Sequence, residues 1–266
     1  MHKKILSKAA TVPLAILSFV STLLAFIDPP FKTIILLVIL AYSLIHICIS
    51  LIKYLTLKDI SLNIEGSIFT IESGDIFEQD HYKVIAFNEY FDTLVDGDII
   101  SPSSLNGVYI NKFYSGQSLS GLNKRIENDI NLKVVGENEN RKKGKKIKYE
   151  LGSTFKDGEY LLVAFTKFNK GNEARLKLSE LTICLIKFWD EVNRLYEGKT
   201  VSLPLLGSGL TRHSDFQASD QELIEILLWT FKISKIKFKH PNRVKLILPE
   251  SKLKEINLYK LKEMEE

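Results

Sequence analysis

The chain has 266 residues, of which 45% are hydrophobic and 26% are charged, and its formal net charge is +4. This length is enough for one sizeable domain and an additional segment, and so mild a charge gives no reason to expect a nucleic-acid partner. The two cysteines, Cys48 and Cys184, are far apart and have no neighbours at metal-ligand spacing. Neither a disulfide framework nor a metal site is therefore expected.

Residues 1–58 are predicted to form a two-helix transmembrane hairpin. Two apolar segments, at about 9–27 and 33–52, each approach the roughly 20 residues that a spanning helix needs. Pro29 and Pro30 lie between the two segments, where they cannot continue a helix. A signal peptide is the alternative for the first segment, but no small-residue cleavage site follows it.

The lysines that flank the two segments predict the orientation of the hairpin. Lys3, Lys4 and Lys8 precede the first span, and Lys53 and Lys58 follow the second. By the positive-inside rule, both termini lie in the cytoplasm. The expected location is therefore the cell inner membrane, as a multi-pass protein with membrane lipids as partners.

Polar side chains are spaced along one face of the second span. Ser43, His46 and Ser50 lie at positions i, i+3 and i+7. Their hydroxyls either bond backbone carbonyls within one hairpin, or the faces of several hairpins meet and line a wet bundle. Because ionisable groups inside a membrane are costly, His46 is a candidate for function.

From residue 59 onward the sequence predicts a mixed α/β sheet flanked by helices. Alternating apolar residues on both sides of Glu65-Gly66 predict a β-hairpin over 59–77. Apolar spacing and capping signals, including Ser179 and the Ser219–Glu222 box, predict the later helices. Further strands are predicted at 82–88, 158–168, 200–206 and 243–249, and helices at 118–130, 178–198 and 219–231.

This order of strands and helices predicts crossover connections within one domain, over residues 59–250. The remaining residues, 251–266, are predicted to be a charged tail that forms a surface helix. The charged run at 137–148 is typical of a solvated loop or hairpin tip. An anionic partner is the alternative for this run, either lipid head groups or nucleic acid, and no aromatic residues are interleaved to support nucleic acid.

Three predicted strands end in residues that are typical of a ligand site. Gly74 and Asp75 follow the hairpin, Asn88 ends the next strand, and a Gly-Ser-Gly turn at 207–209 follows a later one. Ligands of open sheets bind beyond the carboxyl ends of the strands. Glycine lets a backbone approach a ligand closely, and successive free N–H groups can bind a diphosphate.

The residue types at these strand ends fit an adenosine diphosphate ribose. Asp75 would accept a hydrogen bond from an exocyclic amine, and Asn88 would both donate to and accept from a ribose. Each feature also has a structural alternative: a plain turn for Gly-Ser-Gly, a helix cap for Asp75, and a turn brace for Asn88. The placement of all three after strands favours the ligand interpretation. The sequence has no Walker pattern and no dinucleotide fingerprint.

With these motifs, residues 59–249 resemble the macro-domain family, which binds ADP-ribose and its relatives. The resemblance is carried by Gly-Asp-Ile after a strand, a strand that ends in Asn88, and the Gly-Ser-Gly loop between strand and helix. The whole chain resembles, more narrowly, the macro-domain effectors of type II Thoeris anti-phage systems. Those proteins have two membrane spans ahead of a macro domain, and residues 87–100, FNEYFDTLVDGDII, are similar to their signature.

The resemblance implies a role for each candidate residue. Asp75 would contact adenine with Ile76 beside it, and Asn88 would lie by the distal ribose. The residues that would wrap the diphosphate are Gly207, Ser208, Gly209, Leu210 and Thr211.

The resemblance also implies the signal and the partners. A TIR-domain enzyme would make an ADP-ribose derivative, histidine-ADP-ribose, which acts as a nucleotide second messenger. The chain would bind this ligand without any cofactor, form a homo-oligomer and disrupt the membrane in anti-phage defence. No catalytic residue and no metal are expected.

One departure from the family bears on whether the chain is an enzyme. Macro domains that hydrolyse ADP-ribose links often have a glycine-rich run soon after the asparagine. Here residues 89–97 contain only Gly97. We therefore expect a non-enzymatic receptor, with a membrane-tethered ADP-ribosyl hydrolase and a passive membrane scaffold as the alternatives.

Overall fold

A computed structural model of the chain divides into two compact units. One contains Met1–Lys58 and Asn257–Glu263, and the other contains Asp59–Ile256 and Met264–Glu266. The residues that the structure describes are 2–27, 30–55, 59–168, 173–208, 212–213, 217–262 and 264–265.

The first unit contains two long helices, α1 (His2–Phe26) and α2 (Lys32–Leu55), which pack against each other. Among the described residues, the segment Lys32–Ser50 is long and apolar enough to cross a membrane, whereas the apolar segment Ala10–Phe26 is shorter. The length and composition of one helix therefore allow a crossing. The two-span arrangement stays a prediction.

Hydroxyl groups in these helices bond to the backbone of their own helix. Ser43 Oγ donates to the carbonyl of Ile39 at 2.8 Å, and Thr22 Oγ1 donates to the carbonyl of Ser18 at 2.9 Å. These contacts agree with the first alternative above, in which the hydroxyls bond backbone carbonyls within one hairpin. His46 Nδ1 differs from them, because it is buried and has no hydrogen-bond partner among the described residues.

The second unit contains a nine-stranded mixed sheet with the order β1-β2-β11-β9-β3-β7-β8-β10, and β6 pairs with β7. A separate two-stranded sheet pairs β4 with β5. The strands are β1 (Asp59–Ile64), β2 (Ser67–Ser73), β3 (Tyr82–Asn88), β4 (Val134–Glu137), β5 (Ile147–Tyr149), β6 (Thr154–Asp157), β7 (Tyr160–Phe168), β8 (Ala174–Leu176), β9 (Val201–Pro204), β10 (Arg212–His213) and β11 (Val244–Leu248).

The second unit also contains the helices α3 (Leu105–Phe113), α4 (Gly116–Glu127), α5 (Leu178–Leu195), α6 (Asp220–Ser234) and α7 (Glu250–Leu253). The short helix α8 (Leu258–Lys262) belongs to the first unit. The predicted mixed α/β sheet flanked by helices is confirmed. Within it β2, β11, β9, β3 and β7 pair in parallel in that order, so these five strands point the same way.

The apolar residues of the strands and helices form the core of the second unit. Ile85 and Phe87 of β3 are buried in one cluster with Tyr109 of α3 and with Leu122 and Ile126 of α4. This cluster places α3 directly beside the end of β3. The strand and the helix are therefore held together at the point where β3 ends.

A second packed region joins α5 to α6 through Trp189. The Trp189 ring lies 4.9 Å from the Phe231 ring, and its Nε1 donates to Thr230 Oγ1 at 3.2 Å. Trp189 and Thr230 are completely buried. The indole therefore contributes both apolar area and a satisfied polar group to this core.

Two local predictions are confirmed by backbone geometry. Glu65 and Gly66 have φ values of 51° and 82°, and positive φ at both central residues is typical of a tight hairpin turn. Ser219 and Glu222 form the predicted capping box of α6: the Ser219 N–H donates to Glu222 at 2.8 Å, and the Glu222 N–H donates to Ser219 at 3.3 Å.

Two predicted helix boundaries were wrong. The N-cap of α5 is Lys177 rather than Ser179, because the Lys177 N–H donates to the Glu180 carboxylate at 2.9 Å and Ser179 lies inside the helix. Helix α4 ends at Glu127, so Ile130 is not on its apolar face and is 96% exposed.

The predicted surface helix at 251–266 was also wrong. This stretch contains the end of α7 and the short helix α8. Leu253, Ile256, Leu258 and Leu261 within it are buried. Charged residues between these positions conceal the apolar pattern, because a helix buries one stripe and exposes the rest.

We expect the two tryptophans of the chain to differ sharply in their contribution to stability. Trp189→Ala should lower the free energy of unfolding by about 3–5 kcal/mol, because it leaves a large cavity. Trp229, which is 50% exposed on α6, is the matched control, and Trp229→Ala should cost less than about 1 kcal/mol. Urea denaturation followed by circular dichroism measures both values. Equal losses in the two variants would contradict the assignment of Trp189 to the core.

Candidate functional site

The carboxyl ends of the five parallel strands lie along one edge of the sheet, and a cleft is present there. The strand ends are Ser73, Asn88, Phe168, Pro204 and Leu248. In open α/β sheets this edge is where ligands bind. The sheet topology therefore brings together the three strand ends whose residues are typical of a ligand site.

The cleft consists of two adjoining chambers. The first chamber, of about 470 Å³, lies between residues 74–76 and residues 247–252. The second chamber, of about 560 Å³, lies between Asn88, residues 97–106 and the strand end at 204–208. Leu105, Pro204, Leu205 and Ser208 line both chambers, so the two form one continuous cleft. Each volume is within the range of small-molecule sites.

Asp75 and Ile76 line the first chamber. Asp75 Oδ1 accepts a hydrogen bond from the Phe77 N–H at 2.9 Å and thereby caps the short turn Ile76–Glu78. The side chain is exposed, while Ile76 is buried. Asp75 is therefore a cap that also faces the cleft, because one carboxylate can accept several hydrogen bonds at once.

The loop after β9 forms the wall between the two chambers. Gly207 has a φ of 86°, a conformation that glycine adopts without strain. Gly207 lines the second chamber, and Ser208 lines both. The remaining predicted residues of this loop, Gly209, Leu210 and Thr211, lie outside the described residues.

Lys252 brings a positive charge to this loop, and the sequence analysis did not identify it. Its ammonium group donates to Ser208 Oγ and, at 2.8 Å, to Asp220 Oδ2. Lys252 also lines the first chamber. The position of Lys252 shortly after a strand could have identified it, because residues that follow any of the parallel strands reach the same edge of the sheet.

Asn88 is buried in the wall of the second chamber, where it also braces its own turn. Its Oδ1 accepts hydrogen bonds from the N–H groups of Tyr90 at 3.0 Å and Asp92 at 3.3 Å. Its Nδ2 donates to Asp92 Oδ2 at 2.9 Å. The carboxamide is thus held in one orientation, and one Nδ2 hydrogen has no acceptor among the described residues.

A buried ion pair supports this turn from behind. Asp92 and Arg141 have side-chain exposures of 1% and 6%, and Arg141 Nη2 lies 2.6 Å from Asp92 Oδ2. The guanidinium group also stacks on the Tyr90 ring, with 3.9 Å between Cζ and the ring centroid. The charged run at 137–148 does lie at a hairpin tip, between β4 and β5, but the expectation that it is solvated was wrong at Arg141.

Lys145 is the second buried cation of this run. Its Nζ has no hydrogen-bond partner among the described residues, while its backbone N–H donates to Asp92 Oδ1 at 2.7 Å. Burial lowers the pKa of Lys145 to about 8, against the opposing attraction of Glu127 and Asp92. The ammonium form is therefore less favourable in the folded protein than in water.

This cleft can recognise a ligand through hydrogen bonds, through apolar contacts and through the charge of Lys252. No cluster of three or more metal-ligating side chains occurs within the described part of the chain. Residues 97–106, which form one wall of the second chamber, were also absent from the sequence prediction. They precede and begin α3, and only the packing of α3 beside β3 brings them to the cleft.

A mixed α/β sheet with a two-chambered cleft beyond its parallel strand ends defines a ligand-binding domain of the macro type. The chain belongs to the family described as "Thoeris protein ThsA, Macro domain", which it matches over residues 69–249. It is 46% identical, over 263 residues, to the Thoeris protein ThsA of Bacillus amyloliquefaciens strain Y2. That match covers 98% of this chain and 88% of the relative. The macro-domain and Thoeris resemblance is thereby confirmed.

Among solved structures, the chain resembles two mutant macrodomains of Oceanobacillus iheyensis. The first has a TM-score of 0.46 and 16% identity, and covers 78% of this chain and 99% of its own. The second, solved with ADPR, has a TM-score of 0.48 and 15% identity, and covers 77% of this chain and 99% of its own.

We expect the stability of the chain to depend on pH through Lys145. The folded pKa of about 8 lies below the ordinary lysine value of about 10.4, so burial of Lys145 destabilises the fold most below pH 8. This penalty disappears as the pH rises through about 10.4. Lys145→Met should therefore raise the midpoint of thermal unfolding at pH 7, by about 2–4 °C per kcal/mol gained.

The advantage of Lys145→Met should shrink between pH 8 and pH 10.5. Scanning calorimetry of the detergent-solubilised chain measures it at both ends of this window. The exposed neighbour Lys146 supplies the control, since Lys146→Met should leave the midpoint unchanged. A constant advantage at every pH would show that Lys145 acts through packing and not through its charge.

Proposed function

We propose that the chain is a membrane-anchored receptor for an ADP-ribose-derived nucleotide and that it acts as a non-enzymatic effector in anti-phage defence. Its membership of the Thoeris ThsA family supports the defence role. The proposal rests on the cleft. The candidate residues that the structure describes come from three separate strand ends, and they line one continuous space.

The proposed pose places the two halves of the nucleotide in the two chambers. Asp75 and Ile76 would hold the adenine in the first chamber, through the free lone pairs of the carboxylate and an apolar contact. Asn88 would meet the distal ribose in the second chamber. The wall between the chambers would hold the diphosphate, with Gly207 and Ser208 supplying close backbone approach.

The electrostatics of the wall fit a diphosphate. Lys252 reaches Ser208 from the first chamber, and its charge is shared with the Asp220 carboxylate at 2.8 Å. An anionic group beside Ser208 would compete with Asp220 for this ammonium group. The remaining contacts with the diphosphate would come from Gly209, Leu210 and Thr211.

Ligand binding and membrane output would be linked through assembly. A ligand shifts only those equilibria whose states it binds with different affinity, so the nucleotide would have to favour a homo-oligomer. Bringing hairpins together would then disturb the inner membrane, with both termini in the cytoplasm. The proposed signal is histidine-ADP-ribose made by a TIR-domain enzyme.

A membrane-tethered hydrolase is the competing function. Two carboxylates, Asp98 and Glu173, line the second chamber and are the groups there that could activate a water molecule. Both are paired: Asp98 with Lys143 at 3.2 Å, and Glu173 with Arg175 at 2.9 Å. We therefore favour the receptor, and steady release of product from ADP-ribosylated protein would favour the hydrolase instead.

We expect Gly207→Val to abolish nucleotide binding. A β-branched side chain at a φ of 86° is strained by about 1–3 kcal/mol and would also occupy diphosphate space. Titration calorimetry with ADP-ribose should give an affinity at least about tenfold weaker than that of the wild-type chain. Gly136→Val is the matched control, since an added Cβ there meets nothing within 4 Å. Unchanged affinity in Gly207→Val, with an intact fold by circular dichroism, would contradict the proposed site.

We expect the ligand to trigger leakage of dye from liposomes that carry the full-length chain. Protein lacking Met1–Ile52 should cause no leakage but should bind the nucleotide with nearly the same affinity, because the sheet and cleft lie within residues 59–256. His46→Leu should reduce leakage if polar faces line a wet assembly. Leakage caused by the truncated protein would exclude the effector mechanism. Full leakage by the leucine variant would exclude only the polar-face mechanism.

A further inference from the structure

We infer that Gln79 is a positioning residue for the adenine end of the cleft. Its side-chain amide holds the backbone of Asp75, so that the Asp75 carboxylate keeps a fixed direction at the first chamber. The inference deepens the proposed function and rests on it, because that function gives Asp75 its contact with adenine. Gln79 is not among the described residues that line either chamber, so it acts through Asp75 and not on the ligand.

The amide of Gln79 connects Asp75 to the sheet. Its Nε2 donates to the backbone carbonyl of Asp75 at 3.1 Å. Its Oε1 accepts a hydrogen bond at 3.4 Å from Lys245 Nζ, which belongs to β11. Lys245 also pairs with Glu72 of β2 at 3.0 Å. The amide is therefore held from one side by a strand and holds the Asp75 backbone on the other side.

The Asp75 backbone depends on this bond because it lies outside the regular ladder of the sheet. It falls between β2 and the short turn Ile76–Glu78. Its carbonyl also accepts from the Glu78 N–H, but at 3.3 Å, beyond the usual range of about 2.7–3.2 Å. The bond from Gln79 is the shorter of the two. Without it, the peptide group after Asp75 is freer to rotate, and rotation there changes the direction of the carboxylate.

Lys83 fixes the backbone of Gln79 in turn. Lys83 Nζ donates to the backbone carbonyl of Gln79 at 2.8 Å and to that of His81 at 3.0 Å. The Lys83 side chain is 5% exposed, so water competes little for these bonds. Hydrogen bonds from a charged donor are also stronger than those from a neutral one. Gln79 is thus held at its backbone as well as at its amide.

Gly74 leaves the space that the amide occupies. An added Cβ on Gly74 would lie 3.3 Å from Gln79 Nε2 and 3.4 Å from Ile247 Cγ2. The first of these distances is shorter than an ordinary van der Waals contact, so a larger residue would push the amide away from the Asp75 carbonyl. The glycine at this strand end therefore has a role that does not involve the ligand directly.

A purely structural role for Gln79 predicts a different result from a positioning role. A variant that only destabilises the fold lowers the fraction of competent protein, and this weakens every ligand by the same factor. A variant that misdirects the Asp75 carboxylate weakens only those ligands that donate a hydrogen bond to it. The ratio of two affinities therefore separates the two roles.

The test compares two ligands on the full-length chain in nanodiscs, by titration calorimetry. The probes are ADP-ribose and its purine analogue, in which a hydrogen atom replaces the exocyclic amine of adenine. The wild-type chain should bind ADP-ribose about tenfold more tightly than the analogue, because the analogue has no amine to donate to Asp75.

Two variants of Gln79 should reduce this preference to about threefold or less. Gln79→Glu keeps the shape and an acceptor for Lys245, but an ionised carboxylate cannot donate to the Asp75 carbonyl. Gln79→Met removes the amide without adding a charge. Asp80→Asn, at the exposed neighbouring position, is the control and should retain the wild-type preference.

Several results would overturn the inference. One is an unchanged preference in both Gln79 variants, including equal weakening of the two ligands. A loss confined to Gln79→Glu would assign the effect to the added charge, and a loss confined to Gln79→Met would assign it to the Lys245 contact. A loss of preference in Asp80→Asn would show that any change in this segment has the same effect.

The wild-type chain separates failure of the inference from failure of the proposed function. Binding of ADP-ribose without preference over the purine analogue would overturn the inference together with the adenine contact of Asp75, and would leave the receptor function intact. Failure of the wild-type chain to bind either nucleotide would overturn the proposed function itself.

Discussion

The site depends on five neighbouring strands that run in the same direction. Because β2, β11, β9, β3 and β7 are parallel, their carboxyl ends meet at one edge of the sheet. Residues more than a hundred positions apart in the chain, such as Asp75 and Ser208, thereby line the same chamber. Reversing any one of these strands would carry its terminal residues to the opposite edge. The sheet topology therefore determines where the cleft lies, whatever side chains line it.

Behind that edge, the buried Asp92–Arg141 pair connects an outlying hairpin to the cleft. Asp92 accepts from Asn88, from Arg141 and from the Lys145 backbone, so its charge is compensated on every side. Removing one partner of a buried pair of this kind costs about 3–5 kcal/mol, because the other charge is left without compensation. The orientation of Asn88 thus depends on a segment that looks like a solvated loop when only its composition is considered.

Local patterns predicted much of the sheet and part of the site. The β-hairpin, the main strands and the capping box of α6 follow from alternation, apolar runs and side-chain chemistry within a few residues. Asp75, Asn88 and Gly207 were selected as candidates because each lies at the end of a strand or within three residues after it. Helix ends were less predictable: the N-cap of α5 is Lys177, whose N–H donates to the Glu180 carboxylate, and the turn after Glu127 leaves Ile130 exposed.

The sequence by itself determined the apolar N-terminal segments, the identity of most strands and the residue types at their ends, since each of these is set by neighbours along the chain. Only the tertiary structure decided that the Arg141 side chain is buried, that Lys252 reaches the loop after β9, and that residues 97–106 line the cleft. These three depend on which distant segments pack together. Burial and pairing depend on contacts between elements that are distant in the sequence, and a local pattern contains no information about those contacts.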